Sequence, residues 1–241
     1  MQKHFFKEPD DPGATVWRYM DFTKYVAMLD EGGLFFVKLK DLAKGDPFEG
    51  SFLPSETLRA DSGAQVHAEN AVREFLVNCW HMNEGESAAM WRLHLKSDEG
   101  IAIRSTFCRL QTVMRNGRVR QGTGTRGPVN GGVGLVKYLD YDTEGFDGKA
   151  NLFQGVLHKR KCFEHEHEVR AVVVCDSGYL YTVPSGAVLE SDLNDLIQEV
   201  YVGPESPIWL EALVRSVSQK YGLKAPVTRS KLLEAPQRGN G

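Results

Sequence analysis

One stretch of this chain decides its predicted fold: residues 164–175, with the sequence EHEHEVRAVVVC. Side chains alternate between the two faces of a β-strand, so a strand here puts Glu164, Glu166 and Glu168 on one face. Apart from Arg170, residues 169–174 are apolar at both parities, which is typical of a strand covered on both faces. Adjacent like charges repel, so solvent, a basic partner or a ligand must offset the carboxylates. The stretch therefore predicts an interior strand with a functional site at its entrance.

Helical and strand patterns alternate through the rest of the chain without an obvious linker. We predict one α+β domain over residues 1–241, with a mixed or mainly antiparallel sheet flanked by helices and a frayed tail over about 235–241. The predicted strands cover residues 15–20, 34–39, 77–81, 100–104, 135–141, 169–174, 179–183, 199–202 and 227–232. The predicted helices cover residues 22–30, capped by Asp21, and 68–76, 86–96, 152–158 and 207–221.

Composition indicates an ordinary globular protein. The chain has 241 residues, of which 41% are hydrophobic and 25% charged, with a formal net charge of -3 that argues against a protein that coats nucleic acid. No apolar run approaches the roughly 18 residues of a membrane span, and the start lacks the apolar core of a secretory signal. We therefore expect a cytoplasmic protein with no membrane partner. Its cysteines stand far apart without a CxxC pair, which predicts reduced thiols.

Four short motifs occur in order along the chain. They are DPFE at 46–49, Met90-Trp91 before GIAI at 100–103, the series Lys159, Phe163, Glu166, Glu168 and Arg170, and VYVGP at 200–204. In these motifs nearly the whole chain resembles the bacterial "domain of unknown function 2971" family, although Phe163 stands where that family usually has tryptophan. The resemblance supports the predicted fold and implies no particular activity.

A second resemblance implies chemistry. Arg18, Ser105 and the pair Glu166 and Glu168 occur in the order found in one class of ADP-ribosyltransferases, in which an arginine and a Ser-Thr-Ser strand hold NAD. The resemblance implies NAD as a co-substrate bound by the arginine and the serine. The later glutamate would stabilise the positive charge that develops as nicotinamide leaves, and the earlier one would orient the acceptor. The sequence departs from that class because Phe107 replaces the second serine and more chain than expected follows the glutamates.

An arginine-rich, glycine-rich segment is the second candidate for ligand binding. The glycine-rich part, residues 117–134, predicts a mobile loop that grips nucleotide phosphates or a nucleic-acid backbone, with Arg126 as a contact. A solvated loop is the alternative. The GxGxxG letters at 122–127 lack the flanking strand and helix of a dinucleotide fold. Residues 100–139 contain no acid and seven basic residues: Arg104, Arg109, Arg115, Arg118, Arg120, Arg126 and Lys137.

The remaining site candidates each have a structural alternative. Asp46 and Glu49 would share one side of a turn, either as a ligand-gripping pair or as a turn around a core phenylalanine. Trp91, which follows the aromatic and polar cluster at residues 80–84, is either core or an aromatic wall for a nicotinamide or a base. Lys159 and Arg170 flank the glutamates and would neutralise them; in the alternative interpretation Lys159 or Lys161 stabilises phosphate charge.

Three functions fit these residues. The preferred interpretation is an NAD-using ADP-ribosyltransferase or glycohydrolase with Glu168 and Glu166 as the catalytic pair. The first alternative is a phosphodiester-directed enzyme whose carboxylates hold a divalent metal. The second is a non-catalytic sensor or interaction module with complementary charged patches. The zinc-protease spacing HExxH is absent around His165 and His167, and no third ligand can be named, so we predict no metal site.

Overall fold

The structure is a computed structural model, and it describes residues 6–42, 45–50, 75–120, 126–144, 153–174 and 186–235. Its helices are α1 (Phe22–Glu31), α2 (Leu39–Leu42), α3 (Ala88–His94), α4 (Phe107–Asn116), α5 (Gln154–Leu157), α6 (Leu193–Leu196) and α7 (Leu210–Lys220), with a 3-10 turn at Lys161–Glu166. Its strands are β1 (Thr15–Asp21), β2 (Gly33–Lys38), β3 (Phe75–Met82), β4 (Gly100–Thr106), β5 (Arg118–Arg120), β6 (Arg126–Pro128), β7 (Gly131–Leu135), β8 (Lys137–Leu139), β9 (His158–Arg160), β10 (Glu168–Val174), β11 (Gly186–Glu190), β12 (Glu199–Val202) and β13 (Val227–Arg229).

Strand β10 lies inside the sheet, as its apolar sequence predicts. It pairs antiparallel with β3 on one side and with β7 on the other. The main path through the sheet runs β13-β12-β4-β1-β3-β2-β11-β5-β6, and β8 and β9 form a separate pair. Within the large sheet, β12 and β13 are parallel and the other described pairs are antiparallel. The predicted α+β class with a mainly antiparallel sheet is confirmed.

The two faces of the sheet are covered differently. One face, here called the helix face, packs against α1, α4, α6 and α7 around the largest apolar cluster, which includes Val16 and Val169. The other, here called the carboxylate face because Glu168 lies on it, is covered by the short helices α2, α3 and α5. Strand alternation sends Trp17 and Val172 to this second face. The carboxylate face therefore carries the candidate site.

The entrance to β10 differs from the sequence prediction. Residues 161–166 form a 3-10 turn, and His167 ends it in the left-handed region at φ 40°, with its N–H donating to Glu164 O. The strand starts only at Glu168, so the prediction that Glu164 and Glu166 belong to it is wrong. The chain has to reverse between β9 and β10, and charged, unbranched residues favour that turn over a strand.

Glycine-rich residues 117–134 build strands where one loop was expected. Their described part contains β5, β6 and β7, and β7 packs directly against β10. A Cβ at Gly131 would lie 1.9 Å from the Val172 carbonyl oxygen, so this close strand approach requires glycine. Helix α4 was not predicted, although Thr106 caps it and Leu110 and Val113 face the core at helical spacing. Strand β11 was also not predicted.

Several predicted boundaries shift. Asp21 precedes α1 without a side-chain cap and instead accepts a hydrogen bond from the Lys96 N–H. Val136 separates β7 from β8, where one strand over 135–141 was expected. The last helix begins at Leu210 rather than at residue 207, and the last strand is shorter than predicted. Phe75 and Leu76 lie in β3, and the rest of the predicted helix 68–76, the strand 179–183 and the tail 236–241 lie outside the described residues.

Candidate functional site

A row of polar and aromatic side chains crosses the carboxylate face. Register pairs Glu199 with Arg104, Arg104 with Trp17, Trp17 with His81 and His81 with Glu168. The row therefore spans β12, β4, β1, β3 and β10 at one level of the sheet. An ion pair of 3.0 Å between Arg104 and Glu199 closes one end. The other end opens into a denser cluster of charges.

Arg170 is the centre of this cluster. Its side chain is fully buried, and its Nε and Nη2 donate to the two carboxylate oxygens of Glu168 at 2.7 and 3.0 Å. Its Nη1 donates to Glu49 Oε1 at 2.5 Å and to the Val156 carbonyl at 2.8 Å. A guanidinium is planar with fixed donors, so this bidentate pairing fixes the Glu168 side chain.

Lys159 completes the cluster from β9. Its ammonium donates to Glu166 Oε2 at 2.5 Å and to Glu168 Oε2 at 3.4 Å, and lies 3.9 Å from Glu49 Oε2. Three carboxylates thus surround two cations, counting Arg170, so the ionised cluster carries a net charge of -1. Lys159 and Glu166 form its partly exposed edge.

The DPFE box is attached to the same cluster. Glu49 accepts the hydrogen bond from Arg170, and Asp46 accepts a hydrogen bond of 2.7 Å from Arg160. The Arg160 guanidinium also lies 4.6 Å from the ring centre of Phe48 and 5.5 Å from that of Phe163. Two of the four sequence motifs therefore meet here, and Phe163 supplies one of the two aromatic faces.

Glu168 and Glu166 have opposite protonation tendencies. Burial would raise the pKa of Glu168, but the Arg170 charge and hydrogen bonds, with the Lys159 charge, lower it to about 2. Burial raises the pKa of Glu166 above its ordinary value, although Lys159 opposes the change. Burial also raises the pKa of Tyr138, whose hydroxyl oxygen accepts the Glu168 N–H at 2.7 Å, so this phenol keeps its proton.

We expect Glu168 to stabilise the fold at neutral pH and to lose that effect in acid. Its folded-state pKa of about 2 lies below its ordinary value of 4.5, so the stabilisation is present above pH 4.5 and disappears as pH falls towards 2. The expected contribution is about 3 kcal/mol. Urea denaturation of wild type and Glu168→Gln at several pH values measures it. A difference between them that stays constant down to about pH 2 would contradict this assignment.

His81 lies opposite Glu168. In the sequence it stands out only as a member of the aromatic and polar cluster at residues 80–84. Its side chain is 5% exposed, and its Nδ1 lies 2.6 Å from the Glu166 carbonyl oxygen. Burial lowers its pKa, although the bond to Glu166 opposes the change. Strand alternation could have indicated its position, because in β3 His81 shares a face with Cys79 and Val77, next to β10.

Arg18 and Ser105 lie on the opposite face. Cross-strand pairing of Arg18 with Ile103 and of Ser105 with Val16 puts both on the helix face. The Ser105 hydroxyl donates to the Leu196 carbonyl at 2.6 Å. Arg18 forms no ion pair within the described ranges, and burial lowers its pKa to about 10. The sheet therefore separates these two residues from Glu168.

Trp91 lies on the carboxylate face but is core rather than an open wall. It is 3% exposed, its ring centre lies 4.9 Å from that of Tyr19, and its N–H donates to Glu86. Its edge lines a pocket of about 440 Å³ with Gly203 and Pro204, so the other two sequence motifs meet there. None of the ion-cluster residues lines this pocket.

The basic residues between 100 and 139 are partly neutralised. Arg120 pairs with Glu31 and Glu190, and Arg109 donates to the Asp195 carbonyl. The side chain of Arg126 lies outside the described residues, so phosphate or nucleic-acid binding by this segment stays a prediction.

Among the described residues, no group of three or more His, Cys, Asp or Glu side chains is arranged to hold a metal ion. Cys79, Cys108 and Cys162 are free thiols, and Cys175 lies outside the described ranges. No helix in the described part of the chain combines the length and apolar character needed to cross a bilayer.

We compared the chain with models of protein families, with curated proteins and with solved structures. None of the three comparisons found a match. The resemblances described above therefore rest on the sequence motifs alone.

Proposed function

We propose that this chain is an enzyme that breaks a glycosidic bond, with NAD as the candidate substrate and Glu166 and Glu168 as the working carboxylates. The proposal is carried by one observation: the two carboxyl groups share Lys159, yet their pKa values move in opposite directions. Neighbouring carboxyl groups with different protonation tendencies are typical of glycosidic-bond enzymes, in which each group takes a different role.

The distances and the charge support the same chemistry. Both carboxylates contact Lys159 Nζ, at 2.5 and 3.4 Å, so their nearest oxygens lie within about 6 Å of each other. The net charge of -1 favours a positive charge that develops on a ribose as neutral nicotinamide departs. Glu168 supplies the negative charge because its low pKa keeps it ionised. Glu166, at the exposed edge, would orient the acceptor.

The proposal assigns no NAD contact to Arg18 or Ser105. Contacts to the substrate would come from the carboxylate face, where the Tyr138 hydroxyl can donate and Lys159 is partly exposed. A metal is not needed by this reaction, since the leaving group departs as a neutral molecule.

A second candidate function is a non-catalytic recognition module. One observation favours it: Arg170 binds both carboxylate oxygens of Glu168 and also Glu49, so the cluster can serve simply to hold the DPFE box against β10. In that case the exposed residues around the cluster would form the recognition surface.

Nicotinamide release from NAD decides between the two. We expect purified wild type to release nicotinamide and Glu166→Gln to turn over about 100-fold more slowly, because an amide accepts a hydrogen bond from the acceptor hydroxyl less strongly than a carboxylate does. Chromatographic detection of nicotinamide measures both rates. Glu164→Gln is the matched control, since Glu164 is an exposed carboxylate of the same turn. Wild type that leaves NAD intact would overturn the enzyme proposal and favour the recognition module.

A further inference from the structure

His81 is a buried titratable side chain that the proposed reaction does not yet use. It is 5% exposed and lies in register between Trp17 and Glu168 on the carboxylate face. Its Nε2 is buried and makes no hydrogen bond within the described part of the chain. Buried polar atoms rarely lack a partner, so Nε2 is a candidate atom for contact with a bound molecule.

The hydrogen bond at the other ring nitrogen fixes the tautomer. The partner of Nδ1 is the carbonyl oxygen of Glu166, at 2.6 Å, and a carbonyl only accepts hydrogen bonds. Nδ1 therefore carries the hydrogen of the neutral ring and Nε2 presents a lone pair. Burial lowers the pKa of His81 below its ordinary value of 6.5, so the ring is neutral at pH 7. The same bond connects His81 to the turn that carries the Glu166 side chain.

We infer that His81 is the general base that takes the proton from the acceptor hydroxyl at Nε2. The inference rests on the proposed function. The acceptor oxygen forms a bond to the ribose C1 atom as the bond to nicotinamide breaks, and the bonding pair leaves with nicotinamide, which becomes neutral. The acceptor's proton moves to Nε2, which makes the ring cationic, and is later released to solvent. The carboxylates of Glu166 and Glu168 stabilise that imidazolium.

The surrounding charges indicate the class of acceptor. The cluster beside His81 carries a net charge of -1, which disfavours a carboxylate or phosphate acceptor. Water or an uncharged alcohol fits, because each offers one O–H to a neutral base. Among the described residues, the titratable and charged groups next to His81 are Tyr19 of β1, His94 of α3, His165, Glu166 and His167 of the 3-10 turn and its end, and Glu168 of β10.

The test uses His81→Asn, because an asparagine amide keeps an N–H donor near the position of Nδ1 and removes the base. We expect nicotinamide release with water as acceptor to fall about 100-fold. The acid limb of the wild-type pH–rate profile, centred below pH 6.5, is expected to disappear in the variant. Hydroxylamine is a nucleophile that is uncharged at pH 7 and needs no base, so it should restore nicotinamide release and form a ribosyl adduct in the variant. His94→Gln, at an exposed neighbour on α3, should keep the wild-type profile.

The base role of His81 and the proposed function can fail separately in these measurements. Wild type that releases nicotinamide, together with His81→Asn that keeps the rate and the acid limb, would overturn the base role and leave the glycosidic proposal standing. A slow variant that hydroxylamine does not rescue would also overturn it, since a merely structural loss gives that pattern. Wild type without nicotinamide release would overturn both. If His81→Asn does not fold, His81→Gln replaces it in the same measurements.

Discussion

Replacing Arg170 with methionine is expected to lower the free energy of unfolding by about 3–5 kcal/mol. The guanidinium is fully buried and holds Glu168 and Glu49, so its removal leaves two buried carboxylates without this cation. Methionine retains similar bulk, which limits the contribution of a cavity. Urea denaturation monitored by circular dichroism measures the loss. The double variant Arg170→Met/Glu168→Gln should lose less than the two single losses combined, because it removes both charges of one pair.

Arg215→Met is the matched control for the arginine experiment. Arg215 also bonds a glutamate, Glu211 at 2.8 Å, but on the exposed face of α7. Exposed ion pairs contribute about 0–1 kcal/mol, so this variant should unfold close to wild type. Similar losses for Arg170→Met and Arg215→Met would mean that the buried cluster contributes no more than a surface pair.

Glu168→Gln is expected to reduce nicotinamide release by about 100- to 1000-fold while the chain stays folded. Glutamine keeps the size of the side chain but removes the negative charge that offsets the developing positive charge on ribose. The corresponding barrier increase is about 3–4 kcal/mol. Steady-state rates and the melting temperature should be measured on the same preparations, and the rates expressed per folded molecule.

A purely structural role for Glu168 predicts a different rate. A lower melting temperature is expected in either case, but if the carboxylate only offsets Arg170 and Lys159, the variant should turn over normally once folded. That result would remove Glu168 from the reaction and favour the recognition module. Exposed Glu164 again provides the control, because Glu164→Gln changes the same charge in the same segment without entering the cluster.

The sequence predicted the interior strand because that inference needs only local information. Apart from Arg170, residues 169–174 are apolar at both parities, and β10 is paired with a neighbouring strand at each edge. The joining of Asp46 and Glu49 to this strand could not be predicted, since Arg170 and Glu49 are 121 positions apart. Alternation assigns residues of one strand to two faces, but it does not say which face of the next strand is shared.

The same limit explains the remaining differences at the site. Arg18, Ser105 and Glu168 follow an order that suggests one pocket, yet cross-strand register puts the first two on the helix face. The position of His81 beside Glu168 depends on cross-strand register, which the sequence of β3 alone does not give. The 3-10 turn at the start of β10 is different, because residues 161–167 lack β-branched side chains and could have been recognised as a poor strand.

The ion cluster also has a kinetic consequence. It joins segments that are remote along the chain, and the loop entropy of such a contact must be lost before the contact forms. Contacts of this kind are absent from most of the folding transition state, so their free energy falls mainly on the unfolding rate. The hydrogen bond of Arg170 to Glu49, 121 positions away, is therefore expected to form late in folding and to lengthen the lifetime of the folded chain more than it speeds folding.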